Sequence, residues 1–167
     1  MPKNKLQKNL GFTLIELLVV ISIIGFLATA SMVAFNNARM KARDAKRRSD
    51  LKQMQSAVEI YYNSNNSYPS TGGSWWGECP AYGSHAYSGA NGYIPNLAPT
   101  YMAMLPKDPK WVGTGGCYLY RSNGADYMIL THQTIESFDP DVGPDPMDRP
   151  CCNQQTIAVY SPGAKNW

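Results

Sequence analysis

Residues 8–35 read KNLGFTLIELLVVISIIGFLATASMVAF, and this stretch decides the fold class of the chain. Positions 12–35 hold one charged residue, Glu16, among 24 residues. The apolar run from 14 to 34 has 21 residues, which as a helix can cross ~30 Å of hydrocarbon. A simple soluble globule is therefore excluded. A wholly disordered chain is excluded too, because 44% of all residues are hydrophobic.

Charge lies unevenly on the two sides of this apolar run. The first eleven residues carry three lysines and no acid, and residues 39–52, which we call the basic collar, carry seven bases and two acids. From residue 53 onward, nine acids outnumber five bases. Such a collar favours contact with anionic lipid or acidic partners. Nucleic-acid binding is not expected, because the collar has no interleaved aromatic residues. Bases on both sides leave the orientation of the segment open.

All four cysteines follow the apolar run, at Cys79, Cys117, Cys151 and Cys152. No CxxC pair occurs, and the Cys-Cys dipeptide does not have the spacing of the usual zinc sites. We expect disulfides in an oxidising, extracytoplasmic compartment, with free buried thiols as the alternative. Because a bond within the dipeptide is the least favourable pairing, Cys79 and Cys117 are each expected to pair with one of its two members.

The N-terminal stretch resembles the prepilin leader and first helix of type IV pilins and type II secretion pseudopilins. The shared pattern is a basic leader ending in Gly11, then Phe12, then Thr-Leu-Ile-Glu within an apolar helix. The resemblance implies that a prepilin peptidase cleaves after Gly11 and methylates the amine of Phe12. It also implies that Glu16 pairs with the terminal amine of a neighbouring subunit, so that neither charge stays alone in an apolar core. The alternative is a tolerated, interfacial Glu16.

A single long helix is expected over residues 12–62, because no proline interrupts them. Its first half, residues 12–35, would lie in lipid or in a filament core. Its second half is predicted to pack an apolar stripe on the C-terminal domain. The members of that stripe share i, i+3, i+4 spacing and are Ala38, Ala42, Ala45, Leu51, Met54, Val58 and Tyr61.

The remaining chain predicts a small antiparallel sheet. Residues 117–121 and 126–135 are typical of strands, joined by a hairpin at Asn123-Gly124, and residues 156–160 form a third strand. Residues 70–92 predict a loop. The expected architecture is α+β, with a long N-terminal helix packed on an antiparallel sheet in the manner of type IV pilins. The expected regions are a leader (1–11), the helix (12–62) and an extracytoplasmic globular domain (63–167).

Other chemistries find little support in the sequence. The loop 139–148 contains four aspartates, which are Asp139, Asp141, Asp145 and Asp148. Their carboxylate oxygens suit calcium, but prolines interrupt the spacing of a calcium loop. We therefore expect a solvated acidic loop and no metal or cofactor. No catalytic motif occurs, and an enzyme is not expected. Aromatic residues are concentrated around the long loop and are Trp75, Trp76, Tyr82, Tyr87 and Tyr93. They predict either an adhesive, sugar-stacking surface or packing of the loop onto the sheet.

The leading interpretation is a structural subunit of a type IV pilus-like filament, stored as a single-pass membrane protein and assembled at the cell surface or in the periplasm. The alternative is a major-type pseudopilin of a type II secretion or DNA-uptake system. A second alternative is an anchored binding domain that does not assemble. The resemblance implies as partners other copies of the chain, the prepilin peptidase, an inner-membrane assembly platform with its ATPase, and membrane lipid.

Overall fold

The computed structural model describes residues 11–110, 116–137, 147 and 156–167. Helix α1 spans Leu14–Asn65. A four-stranded antiparallel sheet follows it in the order β1-β2-β3-β4, with β1 at Trp76–Gly77, β2 at Tyr118–Ser122, β3 at Tyr127–Thr131 and β4 at Ala158–Tyr160. Two short 3-10 helices lie at Pro80–Tyr82 and Pro162–Ala164. The α+β prediction is confirmed.

The chain divides into two compact units, Met1–Arg39 and Met40–Trp167. The first half of α1 belongs to the first unit, and the sheet belongs to the second together with the rest of the helix. The helix continues past residue 62 to Asn65, where it ends because Asn66 adopts a left-handed backbone with φ 53°. The Asn66 amide donates to the Tyr62 carbonyl at 2.7 Å, which satisfies one of the last free carbonyls of the helix.

The second half of α1 packs on one face of the sheet. Leu51, Met54 and Val58 are fully buried and share one core cluster with Tyr118 and Tyr120 of β2. These three helical residues are spaced three and four apart, so they form one face of a helix with 3.6 residues per turn. This part of the predicted stripe is correct.

The alanines of the predicted stripe do not pack there. Ala38, Ala42 and Ala45 are exposed, because they lie on the opposite side of α1 from Leu51. One and two helical turns before Leu51, the buried positions are instead Arg47 and Asp44. Alanine spacing therefore indicated the wrong face, and a charged pair continues the buried one.

The other face of the sheet is also covered. Leu119, Met128 and Leu130 form a second cluster there with Cys79 and Cys117. The outer members of this cluster are partly buried, and they are Trp75, Tyr82 and Trp167. Because both faces are covered, β3 is buried at each of its positions.

The hairpin between β2 and β3 has the predicted turn. The Asn123 side-chain Oδ1 accepts from the amides of Ala125 and Asp126 at 2.9 and 2.8 Å, and Gly124 has φ +91°. Asparagine supplies the local hydrogen bonds and glycine the positive φ that such a turn requires. In contrast, β1 was not predicted within the loop 70–92, because two residues are too few to show strand periodicity.

Candidate assembly site and the charged cluster of the helix

The candidate cleavage and assembly residues lie at the start of α1. Gly11 and Phe12 precede the helix, and the Phe12 side chain is 85% exposed. Thr13 is the residue before the first helical position. Its amide and hydroxyl both donate to Glu16 Oε2, at 2.8 and 2.7 Å, and its Oγ1 accepts from the Glu16 amide at 3.3 Å. This is a reciprocal capping box, which satisfies two free donors of the first helical turn.

The capping role of Glu16 was missed by the sequence analysis, although the Thr-x-x-Glu spacing at 13–16 signals it. Both hydrogen bonds from Thr13 use Oε2, which leaves Oε1 for a further donor. The cap also holds the carboxylate near the positive end of the helix dipole. Pairing of Glu16 with a second subunit, like cleavage after Gly11, stays a prediction.

The first half of α1 buries nothing within its own chain. Each side chain from 11 to 39 is exposed, and its large apolar side chains are 45–85% exposed. By length and composition α1 contains a segment able to cross a membrane, and it is the single such helix among the described residues. A surface this apolar requires lipid or other protein around it.

The second half of α1 carries a cluster of buried charges. Arg47 is fully buried and binds Asp108 through two parallel contacts, Nε to Oδ2 at 2.7 Å and Nη2 to Oδ1 at 3.0 Å. Its Nη1 donates to Asp44 Oδ1 at 2.6 Å and to Glu136 Oε1 at 3.1 Å. We call these four residues, with Arg43, the Arg47 cluster. A bidentate guanidinium–carboxylate pair is the geometry that makes burial of both charges tolerable.

Glu136 collects three cations in this cluster. It accepts from Arg43 Nε and Nη2, each at 2.7 Å, and from Lys110 Nζ at 2.9 Å, besides the contact with Arg47. The hydrogen bonds from Arg43 in particular lower the pKa of Glu136 to about 2, against the opposing effect of burial. Asp44 in turn accepts from the amides of Glu136 and Ser137. The cluster therefore ties α1 to two loops of the same domain.

The Arg47 cluster changes the interpretation of the basic collar. Arg43 and Arg47 are engaged by carboxylates of the domain, and Lys46 pairs with Asp50 at 3.1 Å. Asp50 also accepts from the Tyr118 hydroxyl at 2.8 Å. The expected contact with lipid or acidic partners is therefore limited to the exposed collar bases outside these pairs, which are Arg39, Lys41 and Lys52.

One buried carboxyl beside the Arg47 cluster is only partly satisfied. Glu78 Oε1 accepts from the Asp108 amide at 3.1 Å, whereas its Oε2 is buried without a hydrogen-bond partner. Burial raises the pKa of Glu78. Ionisation of Glu78 therefore disfavours folding, whereas ionisation of Glu136 favours it, because burial penalises the charged form of Glu78.

The disulfide differs from the predicted pairing. Cys79 is bonded to Cys117, with Cα atoms 5.9 Å apart. Pairing each of them with Cys151 or Cys152 was wrong, because β1 and β2 are antiparallel with Gly77 opposite Leu119. Continuing that register by two residues places Cys79 opposite Cys117, within the usual disulfide range. The dipeptide at 151–152 and the aspartates at 139, 141, 145 and 148 lie outside the described residues.

The aromatic residues of the loop 70–92 and of the adjoining Tyr93 lie in different environments. Tyr93 is fully buried and its hydroxyl donates to the Pro106 carbonyl at 2.8 Å. Trp76 stacks on His85 with ring centroids 4.1 Å apart. Trp75 and Tyr82 pack on the second core cluster. In the described part of the chain, no group of three or more His, Cys, Asp or Glu side chains is placed to hold a metal ion.

Known proteins resemble the chain both in its N-terminal motif and over most of its length. Residues 6–32 match the family model described as the prokaryotic N-terminal methylation motif. The type II secretion system core protein G of Klebsiella pneumoniae is 31% identical over 145 residues, covering 84% of this chain and 88% of that protein. The core protein G of Escherichia coli K12 is 39% identical over 147 residues, covering 79% and 92%.

A fimbrial protein of Neisseria meningitidis is 39% identical over 67 residues, 40% of this chain and 38% of that protein. No solved structure gives a significant match. The methylation motif and the long helix packed on a small sheet define a pilin-like protein. Since core protein G relatives above 30% identity align over most of both sequences, the chain belongs to the type IV pilin and type II secretion pseudopilin family.

Proposed function

We propose that the chain is a pseudopilin-type filament subunit, made as a membrane-stored precursor that loses residues 1–11. The core protein G relatives favour this alternative over the type IV pilus, because they align over most of the chain whereas the fimbrial protein aligns over 40% of it. On the same relationship we propose a structural role and not a catalytic one. The pilus remains the second candidate, supported by the fimbrial match.

The observation that carries the proposal is the complete exposure of the first half of α1. A helix whose apolar side chains are exposed all round is stable only in lipid or among other apolar helices. The lipid bilayer satisfies this requirement before assembly. Neighbouring copies of the same helix satisfy it in a filament core, so one surface serves for storage and for polymerisation.

Glu16 would select assembly over mere anchoring. Cleavage after Gly11 creates an ammonium at Phe12, directly beside the capping box. The Oε1 atom of Glu16 takes no hydrogen bond from Thr13, and in the proposed filament it would accept from the amine of an adjacent subunit. An anchor needs neither group, and leaving one charge of a buried pair unmatched costs ~3–5 kcal/mol.

The test separates the two roles of Glu16. Glu16→Gln retains a side chain that can complete the capping box but cannot pair with an ammonium. It should insert in the membrane and be cleaved to a Phe12 terminus, as should Glu16→Ala, yet both should yield at least tenfold fewer filaments. Thr13→Ser, which keeps the capping hydroxyl, is the matched control. Membrane fractionation, terminal mass analysis and electron-microscope counts give the three readouts. Wild-type filament numbers from the Gln variant would refute the pairing.

The cellular arrangement rests on two supports. The methylation motif supports a prepilin peptidase as processing partner, and the Cys79–Cys117 disulfide supports an extracytoplasmic domain. An assembly platform, its ATPase and membrane lipid complete the proposed partners. Deleting the gene should block protein release across the outer membrane while sparing surface pili. Loss of surface pili with intact secretion would favour the second candidate, and neither loss would favour a non-assembling anchored domain.

A further inference from the structure

A row of side chains crosses the outer face of the sheet, away from α1. Arg121 of β2 lies opposite Met128 of β3, and Met128 lies opposite Tyr160 of β4. Directly opposed residues of antiparallel strands point to the same face. Met128 is fully buried, whereas Tyr160 is 37% exposed and Arg121 is partly exposed. The row therefore presents a cationic and an aromatic group above a buried floor.

Two tryptophans lie against Arg121. Its Cζ is 4.7 Å from the ring centroid of Trp167 and 5.8 Å from that of Trp75, and both indoles are partly exposed. We call Trp75, Arg121, Tyr160 and Trp167 the Trp-Arg surface. Tryptophan, tyrosine and arginine are the residue types that dominate binding energy in protein interfaces. Their grouping on one face indicates a contact surface.

Among the described residues, Arg121 has no carboxylate partner, unlike the partly buried Arg43 and the buried Arg47. Its Nε is buried without a hydrogen-bond partner, and among the described residues no carboxylate lies within ion-pair distance. By contrast, Arg43 and Arg47 each bind carboxylates at 2.7 Å. A guanidinium stays charged and presents a fork of donors that matches a carboxylate. The site thus lacks an acidic ligand.

The aromatic groups narrow the ligand further. Surfaces lined by tryptophan and tyrosine bind proline-rich segments, whose rings pack flat on the aromatic faces at low entropic cost. A ligand that combines carboxylates with prolines would therefore satisfy the whole Trp-Arg surface. Residues 138–149 of this chain read FDPDVGPDPMDR, with four aspartates and three prolines.

Within the same chain, Ser137 and Met147, which lie on either side of residues 138–146, are both held on the helix-facing side of the sheet. Ser137 donates to Asp44 of α1, and Met147 packs on the core cluster that contains Leu51. The Met147 carbonyl accepts from the Ala158 amide at the start of β4. The Trp-Arg surface lies on the opposite face. A second copy is therefore the better source of the ligand.

We propose that the aspartate- and proline-rich segment 139–146 of a second copy binds the Trp-Arg surface, with one carboxylate on Arg121. The inference rests on the proposed filament function, since a polymer of identical chains supplies the segment at a high effective concentration. It extends that function to a lateral contact outside the helical core. Charge complementarity and the unsatisfied Nε atom carry it.

The test measures binding of a fluorescent peptide of residues 138–149 to the full chain in detergent micelles. Anisotropy should show binding that weakens with added salt. Arg121→Gln should weaken it at least tenfold, as should replacing the four aspartates of the peptide by asparagine. Lys165→Gln, which removes an exposed cation close in sequence to Trp167, is the matched control and should bind as wild type.

Several outcomes would overturn the proposal. The first is that the peptide does not bind, and the second is that it binds the Arg121→Gln variant as tightly as wild type. The third is that an acidic polysaccharide binds the chain and the peptide does not compete with it. Should Arg121→Gln fail to fold, Arg121→Lys keeps the charge without the fork and should still weaken binding severalfold. The peptide assay needs no filament. If the peptide does not bind while Glu16-dependent filament assembly is normal, this lateral contact is refuted and the proposed filament function is not. A photo-crosslinker at position 160 of assembled subunits must join 138–149 of a different copy.

Discussion

The two halves of α1 differ in side-chain burial, and the more polar half is the one that is buried. Residues 14–39 are almost uncharged and are exposed on every side, while residues 40–65 carry most of the collar and bury three charged side chains. Polarity alone would have predicted the reverse. Burial is decided by whether a matching surface exists: the second half has its own domain, whereas the first half depends on lipid or on other subunits.

The physical basis of the second half is charge matching at close range. An isolated buried guanidinium would cost several kcal/mol, but Arg47 meets two oxygens of Asp108 and one each of Asp44 and Glu136. These contacts specify one rotation of α1 about its axis on the domain, because a rotated helix would leave the Arg47 guanidinium without its carboxylate partners. Apolar residues alone would specify that rotation less strictly.

The largest effect is expected from removing the centre of this arrangement. Arg47→Ala leaves Asp108 and Asp44 buried without their cation and should lower the free energy of unfolding by ~3–5 kcal/mol. Lys41→Ala, on the exposed side of the same helix, is the matched control and should change it by less than ~0.5 kcal/mol. Denaturant titration of the full chain in micelles, followed by near-ultraviolet circular dichroism, measures both. Equal curves would show that the second half does not depend on the cluster.

The disulfide should have the next largest effect, and on the domain half alone. Replacing Cys79 and Cys117 by alanine should destabilise the domain by ~2–4 kcal/mol, because the bond closes a loop between residues 38 apart. The helicity of residues 14–39 in micelles should not change. Peptide mapping under non-reducing conditions should recover Cys79 linked to Cys117. A link from either residue to Cys151 or Cys152 would restore the pairing expected from the sequence.

Acid should destabilise the contact between the second half of α1 and its domain by protonating Glu136. Because its folded pKa of about 2 is below the usual 4.5, its contribution is present above pH 4.5 and is lost as pH falls toward 2. Glu136→Gln should therefore lower stability at pH 7 by ~1–2 kcal/mol, after allowance for solvent screening, and flatten the loss between pH 4.5 and 2. Melting temperatures across that range test the prediction. An unchanged acid slope in the variant would contradict it.

The smallest effect should come from the exposed alanines. Ala45→Gln should change the free energy of unfolding by less than ~0.5 kcal/mol, because Ala45 is exposed. The matched substitution Ala57→Gln, at a position 4% exposed on the packed side, should cost at least ~2 kcal/mol. Comparable losses at the two positions would mean that the alanine stripe packs on the domain after all.

The features that could be predicted are those written in neighbouring residues. The N-terminal methylation motif, the apolar run and the Asn-Gly hairpin each lie within a short segment, so spacing and residue type were sufficient to predict them. The capping box at 13–16 was equally local and was overlooked. The Trp-Arg surface gave no such signal, since Trp75 and Trp167 lie far from Arg121 in sequence and meet through the sheet and its C-terminal turn.

Hydrophobic patterning, helix propensity and motif spacing act over a few residues, and they determined that this chain has an N-terminal methylation motif, a long helix with an apolar first half and a small antiparallel sheet. The partners of Arg47 lie 61 and 89 residues away at Asp108 and Glu136, and those of the cysteines depend on the register of a two-residue strand. Such choices among many charges and four thiols are made by distance in the folded domain. Where a charge is buried or paired is therefore a property of the packed structure, because the energy of burial depends on which opposite group lies within ~3 Å.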